Sequence, residues 1–147
     1  MPEEQSWRCK NMSLIFACRV VAERFGPEAV DLLARHHLER VRAAFREKAA
    51  AGAPNGLEAL AEQIKGISAT HEHQIIRQDD RVLEFKVTRC AHAELFAAWN
   101  ALDLGLKFMC SGDEAMIEGL NPRITLERPR LLMKGDECCH FIYQLDG

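Results

Sequence analysis

The hydrophobic period of this chain changes once, at Gly66, and that change limits the fold more than any other feature. Before it, apolar residues recur at three- and four-residue steps. Val30, Leu33, His37, Val41 and Phe45 make one stripe between a Gly26-Pro27 start and Gly52. Proline suits a first helical position, Glu28 and Asp31 complement the positive end of the helix dipole, and Gly52 stands where a left-handed cap is expected. Leu14, Ile15, Cys18, Val20 and Val21 place an earlier helix over residues 10–24, and Leu57, Leu60, Ala61 and Ile64 a third, which stops at Gly66. Beyond Gly66 the pattern alternates. Residues 71–77 and 82–89 flank Gln78-Asp79-Asp80-Arg81, and Leu83, Phe85 and Val87 alternate with Glu84, Lys86 and Thr88, as in a hairpin with one wet face.

Residues 91–101 return to a helical pattern, and Cys110-Ser-Gly-Asp113 reads as a turn before a short helix from about Asp113. Residues 124–128 and 130–133 read as one strand bent at Pro129, which favours an edge or a bulge, and residues 138–145 as a last strand. The expected fold is α+β: N-terminal helices packed on a small antiparallel β-sheet with a helical insertion. A chain of 147 residues fits one domain, 1–147, helical over 10–66 and sheet-rich over 70–146.

A formal net charge of -3 supplies no electrostatic footprint for a phosphate backbone, so nucleic acid is not an expected partner. The apolar run over residues 12–21 is broken by Ser13, Cys18 and Arg19 and falls short of the roughly 20 residues of a membrane span. The acidic Pro2-Glu3-Glu4 start is unlike a secretory leader, which points to the cytoplasm; the partners expected are a small-molecule substrate and, in a homo-oligomer, further copies of the chain. In that compartment six cysteines persist as thiols, metal ligands or small buried hydrophobes.

Their positions differ. Cys90 ends a strand and opens a helix. Cys110 precedes Ser111-Gly-Asp-Glu114, which fits a capping box with Ser111 as cap and Glu114 reaching back. Both sulfurs are expected near helix amides, an arrangement that lowers a thiol pKa. On the last strand, alternation turns Cys139 inward and Cys138 outward. Cys9, Cys18 and Cys138 read as packing or surface thiols. For Cys90, Cys110 and Cys139, spacing alone does not separate a reactive sulfur from a merely buried one.

His71-Glu72-His73 puts two imidazoles on one face of a strand, where they could share a zinc ion with His92, Glu94 or a cysteine as third ligand. A His-x-His pair is short and frequent by chance, so exposed polar strand residues are the simpler reading. His36 and His37 read as surface and packing residues. No CxxC, HExxH, GxSxG or phosphate-loop pattern occurs.

Val87-Thr-Arg-Cys90, Cys110-Ser-Gly-Asp113, Asn121-Pro-Arg-Ile-Thr-Leu-Glu-Arg128 and Leu132-Met-Lys-Gly-Asp-Glu-Cys-Cys139-His-Phe141 follow one another in order. This string resembles the L-2-amino-thiazoline-4-carboxylic acid hydrolase family, and Arg24-Phe-Gly-Pro-Glu-Ala-Val30 is similar to its opening helix. The resemblance implies a cysteine-dependent hydrolase that opens a thiazoline-type cyclic amidine to an N-carbamoyl amino acid, without a cofactor. It carries over onto Cys90, Cys110, Asp113 and Cys139. Cys138 and His140 depart from the family pattern, which more often has a single thiol followed by an acidic residue. The chemistry suits a Cys110 thiolate attacking the carbon between nitrogen and sulfur, with Asp113 as acid or base and Cys139 as an alternative nucleophile.

Two other readings use the same atoms. Cys90, Cys110, Cys139 and Glu94, or His71 and His73, could hold zinc in a sensor-like small-molecule-binding domain. The Cys110-x-x-Asp113 turn with distant Cys139 is also similar in residue types to organomercurial lyases, which pair two thiols with an aspartate.

Overall fold

Three helices lead the chain in the computed structural model, which describes residues 3–147: α1 (Glu3–Phe25), α2 (Pro27–Ala50) and α3 (Leu57–Gly66). Met1 and Pro2, which begin the acidic opening segment, lie outside the described residues. The chain passes from α1 into α2 through Gly26 at φ 88°, a left-handed backbone that favours glycine. Helix α1 starts well before residue 10, because Trp7 is anchored edge-on against the His92 ring, with centroids 4.6 Å apart. The packed face of α2 also differs from expectation. Val30 and Ala34 are buried, whereas Leu33 is 46% exposed and His37 is exposed. The helix turns its small Ala34, rather than the larger Leu33, toward the core it shares with α1. Val20 of α1 is likewise outside, at 65% exposure.

The sheet is antiparallel with strand order β1-β2-β4-β3: β1 (His71–Gln78), β2 (Val82–Cys90), β3 (Ile124–Arg130) and β4 (Cys139–Leu145). Asp79 closes the first hairpin by accepting the backbone N–H groups of Arg81 and Val82 on Oδ1, each at 2.9 Å. β3 is an edge strand, and its register slips between Glu127 and Arg130 around Pro129, which has no N–H to donate. Residues 132–134 form a 3-10 turn rather than a continuation of that strand. Asp136 Oδ2 accepts the Leu131 N–H at 2.9 Å and folds the chain back before the sheet resumes at Cys139. Cys138 therefore precedes the strand and is buried at 6% exposure, not turned outward.

The insertion between β2 and β3 is built from helical pieces: α4 (Ala91–Ala98), α5 (Leu102–Gly105), a π-helical turn (Leu106–Cys110) and α6 (Ser111–Leu120). The turn expected at residues 110–113 is instead part of this run. Two cores result. One lies between the inner sheet face and α3 and α6, around Leu60, Leu83, Phe85 and Ile117. The other lies under α1 and α2, around Ile15, Cys18 and Phe96. Gly119 joins α6 to α2, since a Cβ there would run into the Arg42 carbonyl. No helix among the described residues is long and apolar enough to cross a membrane.

Candidate active site

At the end of β2, Cys90 has extended backbone and serves as the N-cap position of α4. The hairpin register sets His71 directly opposite it. Cys90 Sγ and His71 Nε2 are 3.3 Å apart. Thr70 Oγ1 donates to the Ile67 carbonyl at 3.2 Å and stands 2.8 Å from His71 Nδ1. In the tautomer with the proton on Nδ1, the threonine oxygen accepts from Nδ1–H and the Nε2 lone pair faces the thiol. Burial lowers the His71 pKa, against a hydrogen bond to the Ile67 backbone, and so favours the neutral ring. Burial also raises the Cys90 pKa, while the amides of His92 and Ala93 at the start of α4 pull it back down.

The second group sits on the insertion. The π-helical turn runs straight into α6, with Cys110 itself in right-handed helical conformation. The first amides of α6 therefore do not form a free N-terminus, and the expected capping box is absent. Ser111 Oγ donates back to the Leu106 carbonyl at 2.8 Å, and Glu114 is paired with Arg128 at 2.8 Å. The Cys110 thiol is pushed up to about 12, by burial first and by the Asp113 charge second. Cys139 faces inward as expected, and its Sγ accepts the Leu132 N–H at 3.2 Å. Burial outweighs that bond and pushes its thiol up to about 11. The lowered thiol pKa values expected at Cys90 and Cys110 are thus reversed, because desolvation of a thiolate exceeds what the α4 amides return at Cys90 and what Arg128 returns at Cys110.

Asp113 projects from the first turn of α6. Its Oδ2 takes a 3.2 Å bond from Arg128, whose side chain is only 8% exposed and also reaches the Cys110 carbonyl at 2.6 Å. Burial nevertheless dominates, and the Asp113 carboxyl is pushed up to about 6 against the opposing pull of Arg128. Asp113 is surrounded by protein but opens onto a cavity, where it retains 38% exposure.

That cavity, of about 230 Å³, brings together the four residues singled out in the sequence, Cys90, Cys110, Asp113 and Cys139, and adds His71 and Tyr143. Phe85 and Phe141 stack in its wall with ring centroids 4.8 Å apart. Glu94 is held by Arg89 at 2.7 Å on the surface, His73 does not reach the cavity, and among the described residues no three His, Cys, Asp or Glu side chains could jointly hold an ion.

His71 is not an exposed strand residue, and its partnership with Cys90 was accessible to counting. The register of the hairpin shifts between Ile75 and Arg77 and again between Glu72 and His73, and because the two shifts cancel, counting back from Gln78 and on from Leu83 reaches His71 and Cys90 although it misses the pairs between. Arg128 was visible only as one letter of the Asn121–Arg128 string, since nothing local marks a buried guanidinium. His92 also lines the cavity and accepts the Trp7 indole N–H on Nε2 at 3.3 Å. Its pKa is lowered to about 4, by burial and then by His71.

A family model described as L-2-amino-thiazoline-4-carboxylic acid hydrolase matches residues 9–143. No curated protein matches the chain.

Proposed function

The chain belongs to the L-2-amino-thiazoline-4-carboxylic acid hydrolase family, and from that premise we propose that it is a cysteine-dependent hydrolase that opens a small thiazoline-type cyclic amidine to an N-carbamoyl product. The observation that carries the reading is the 3.3 Å contact between Cys90 Sγ and the acceptor nitrogen of His71, with Thr70 orienting the ring. A nucleophile, its base and a group that holds the base in one tautomer make up the general arrangement for thiol catalysis.

In this scheme the Cys90 proton passes to His71 Nε2, and the thiolate forms a bond to the amidine carbon between ring nitrogen and ring sulfur. The bond from that carbon to the ring sulfur breaks, and the departing sulfur takes the proton from His71. The product stays attached to Cys90 as an isothiourea. A water then gives a proton to His71 and adds to the same carbon, the bond to Cys90 breaks, and Cys90 recovers its proton. The surplus proton of a substrate that entered as amidinium goes to Asp113, whose pKa of about 6 suits a group that both takes and gives protons near neutrality. The sequence reading set Cys110 first as nucleophile. A thiol pushed up to about 12 beside a carboxylate is poorly activated, so Cys110 and Cys139 act here as neutral walls and weak donors. The free thiols suit a reducing compartment, the cytoplasm, and a small-molecule substrate.

Single Cys90→Ser, Cys110→Ser and Cys139→Ser variants, assayed for release of a new thiol from 2-amino-thiazolines, test the scheme. Cys90→Ser and His71→Asn are expected to lose roughly 10²–10⁴ in kcat, with the other two serine variants within about tenfold of wild type. Unchanged turnover in Cys90→Ser refutes the role of Cys90.

A further inference from the structure

We infer that the cavity is built for a flat amidinium cation that carries no carboxylate, so that the substrate of this chain is a 2-amino-thiazoline-type ring with hydrogen or an apolar group where the family's name places an acid. The inference rests on the hydrolase reading of the same site and goes beyond it by naming the class of molecule admitted.

The charges decide it. Among the described residues that line the cavity there is no lysine or arginine, and its one acidic side chain is Asp113. Arg128, the cation that touches Asp113, lies behind it rather than in the wall. Its guanidinium is already engaged by the Cys110 carbonyl, Asp113 and Glu114. A substrate carboxylate would lose its hydration in a small, mainly apolar cavity and meet the Asp113 carboxylate, with only the neutral donors of Gln63, Tyr143 and the histidine rings to face it and no cation. A cation meets the opposite situation. Asp113 Oδ2 is held by Arg128, whereas Oδ1 accepts no hydrogen bond among the described residues, so it is available to an amidinium N–H in a charge-assisted bond.

The walls agree with the charge. Phe85, Phe141 and Tyr143 stand in a stacked ladder along the sheet, with interplanar angles of 8° and 18°, and all three line the cavity. Aromatic faces attract a planar cation, and the thioethers of Met109 and Met116 supply soft, polarisable surface. A volume of about 230 Å³ suits one small ring rather than an extended ligand. His71 and His92 add no positive charge, since burial disfavours their protonated forms.

Calorimetric titration of the full-length Cys90→Ser protein with 2-amino-2-thiazoline, its 4-carboxylic acid and uncharged 2-methyl-2-thiazoline measures recognition without turnover. The amidinium is expected to bind at least about tenfold more tightly than the acid, and Asp113→Asn to erase that advantage while leaving the uncharged ring within about twofold. Wild-type kcat/KM across the same 2-amino-thiazolines gives a readout that needs no variant. Tighter binding or faster turnover of the acid, or no binding of the amidinium, overturns the inference. Amidinium binding without hydrolysis by wild type refutes the hydrolase reading and upholds the ligand class, whereas preferred hydrolysis of the acid does the reverse.

Discussion

Replacing Asp113 by Asn probes the balance between burial and Arg128 through the pH dependence of stability. The Asp113 carboxyl is pushed from 3.8 to about 6, with burial outweighing the guanidinium at 3.2 Å. A carboxyl whose folded pKa is raised binds more protons folded than unfolded, so its contribution is fully present below pH 3.8 and is lost as pH rises through about 6. The shift corresponds to about 3 kcal/mol at about 1.36 kcal/mol per pKa unit. Asp113 is 38% exposed, and screening at that exposure reduces the expected effect to about 1.5 kcal/mol. Asparagine has nearly the shape of a protonated aspartate and does not titrate. About a third of the effect is already lost at pH 4.5, so urea unfolding of wild type and Asp113→Asn at pH 4.5 and pH 7.5 should show the variant gaining about 1 kcal/mol on wild type between the two conditions. Any pH-independent cost of the substitution cancels in that comparison. A gap that does not move with pH, or one that moves in favour of wild type as pH rises, refutes the argument, because Arg128 would then be the dominant influence on Asp113.

In a Cys9→Ser background, which removes an exposed thiol, alkylation at pH 8 followed by peptide mass analysis should modify Cys90 before Cys110 and Cys139. Thiols at about 11 and about 12 hold only about one thiolate in 10³ and 10⁴ at that pH; labelling of Cys110 first would contradict the order of activation. Gly119→Ala should lower stability by about 1–3 kcal/mol in urea unfolding, because the added methyl meets the backbone of α2 rather than a side chain that can move. A loss below about 0.5 kcal/mol would show that α6 can shift away from Arg42.

The helix-to-sheet order was legible because periodicity is local. Leu83, Phe85 and Val87 announce a half-buried strand whatever they pack against, and Leu57, Leu60, Ala61 and Ile64 announce a helical stripe in the same way. Errors gathered where two local patterns compete. Ser111 and Glu114 have the spacing of a capping box, yet the π-helical turn continues the helix through Cys110 and turns both side chains to other partners, Leu106 and Arg128. Cys138 and Cys139 alternate on paper, but strand β4 begins only at Cys139, so alternation does not govern Cys138.

For the site, the sequence supplied the four residues Cys90, Cys110, Asp113 and Cys139 through their order along the chain. Only the tertiary structure decided that they share a cavity, that His71 stands across the hairpin from Cys90, and that Arg128 braces Asp113 from an edge strand. The physical reason is the range of the forces. Side-chain period and turn chemistry act over a few residues and can be read in a line of letters. Desolvation and charge act through space, and here they raise the thiols and the Asp113 carboxyl by bringing β2, β4 and α6 around one small cavity.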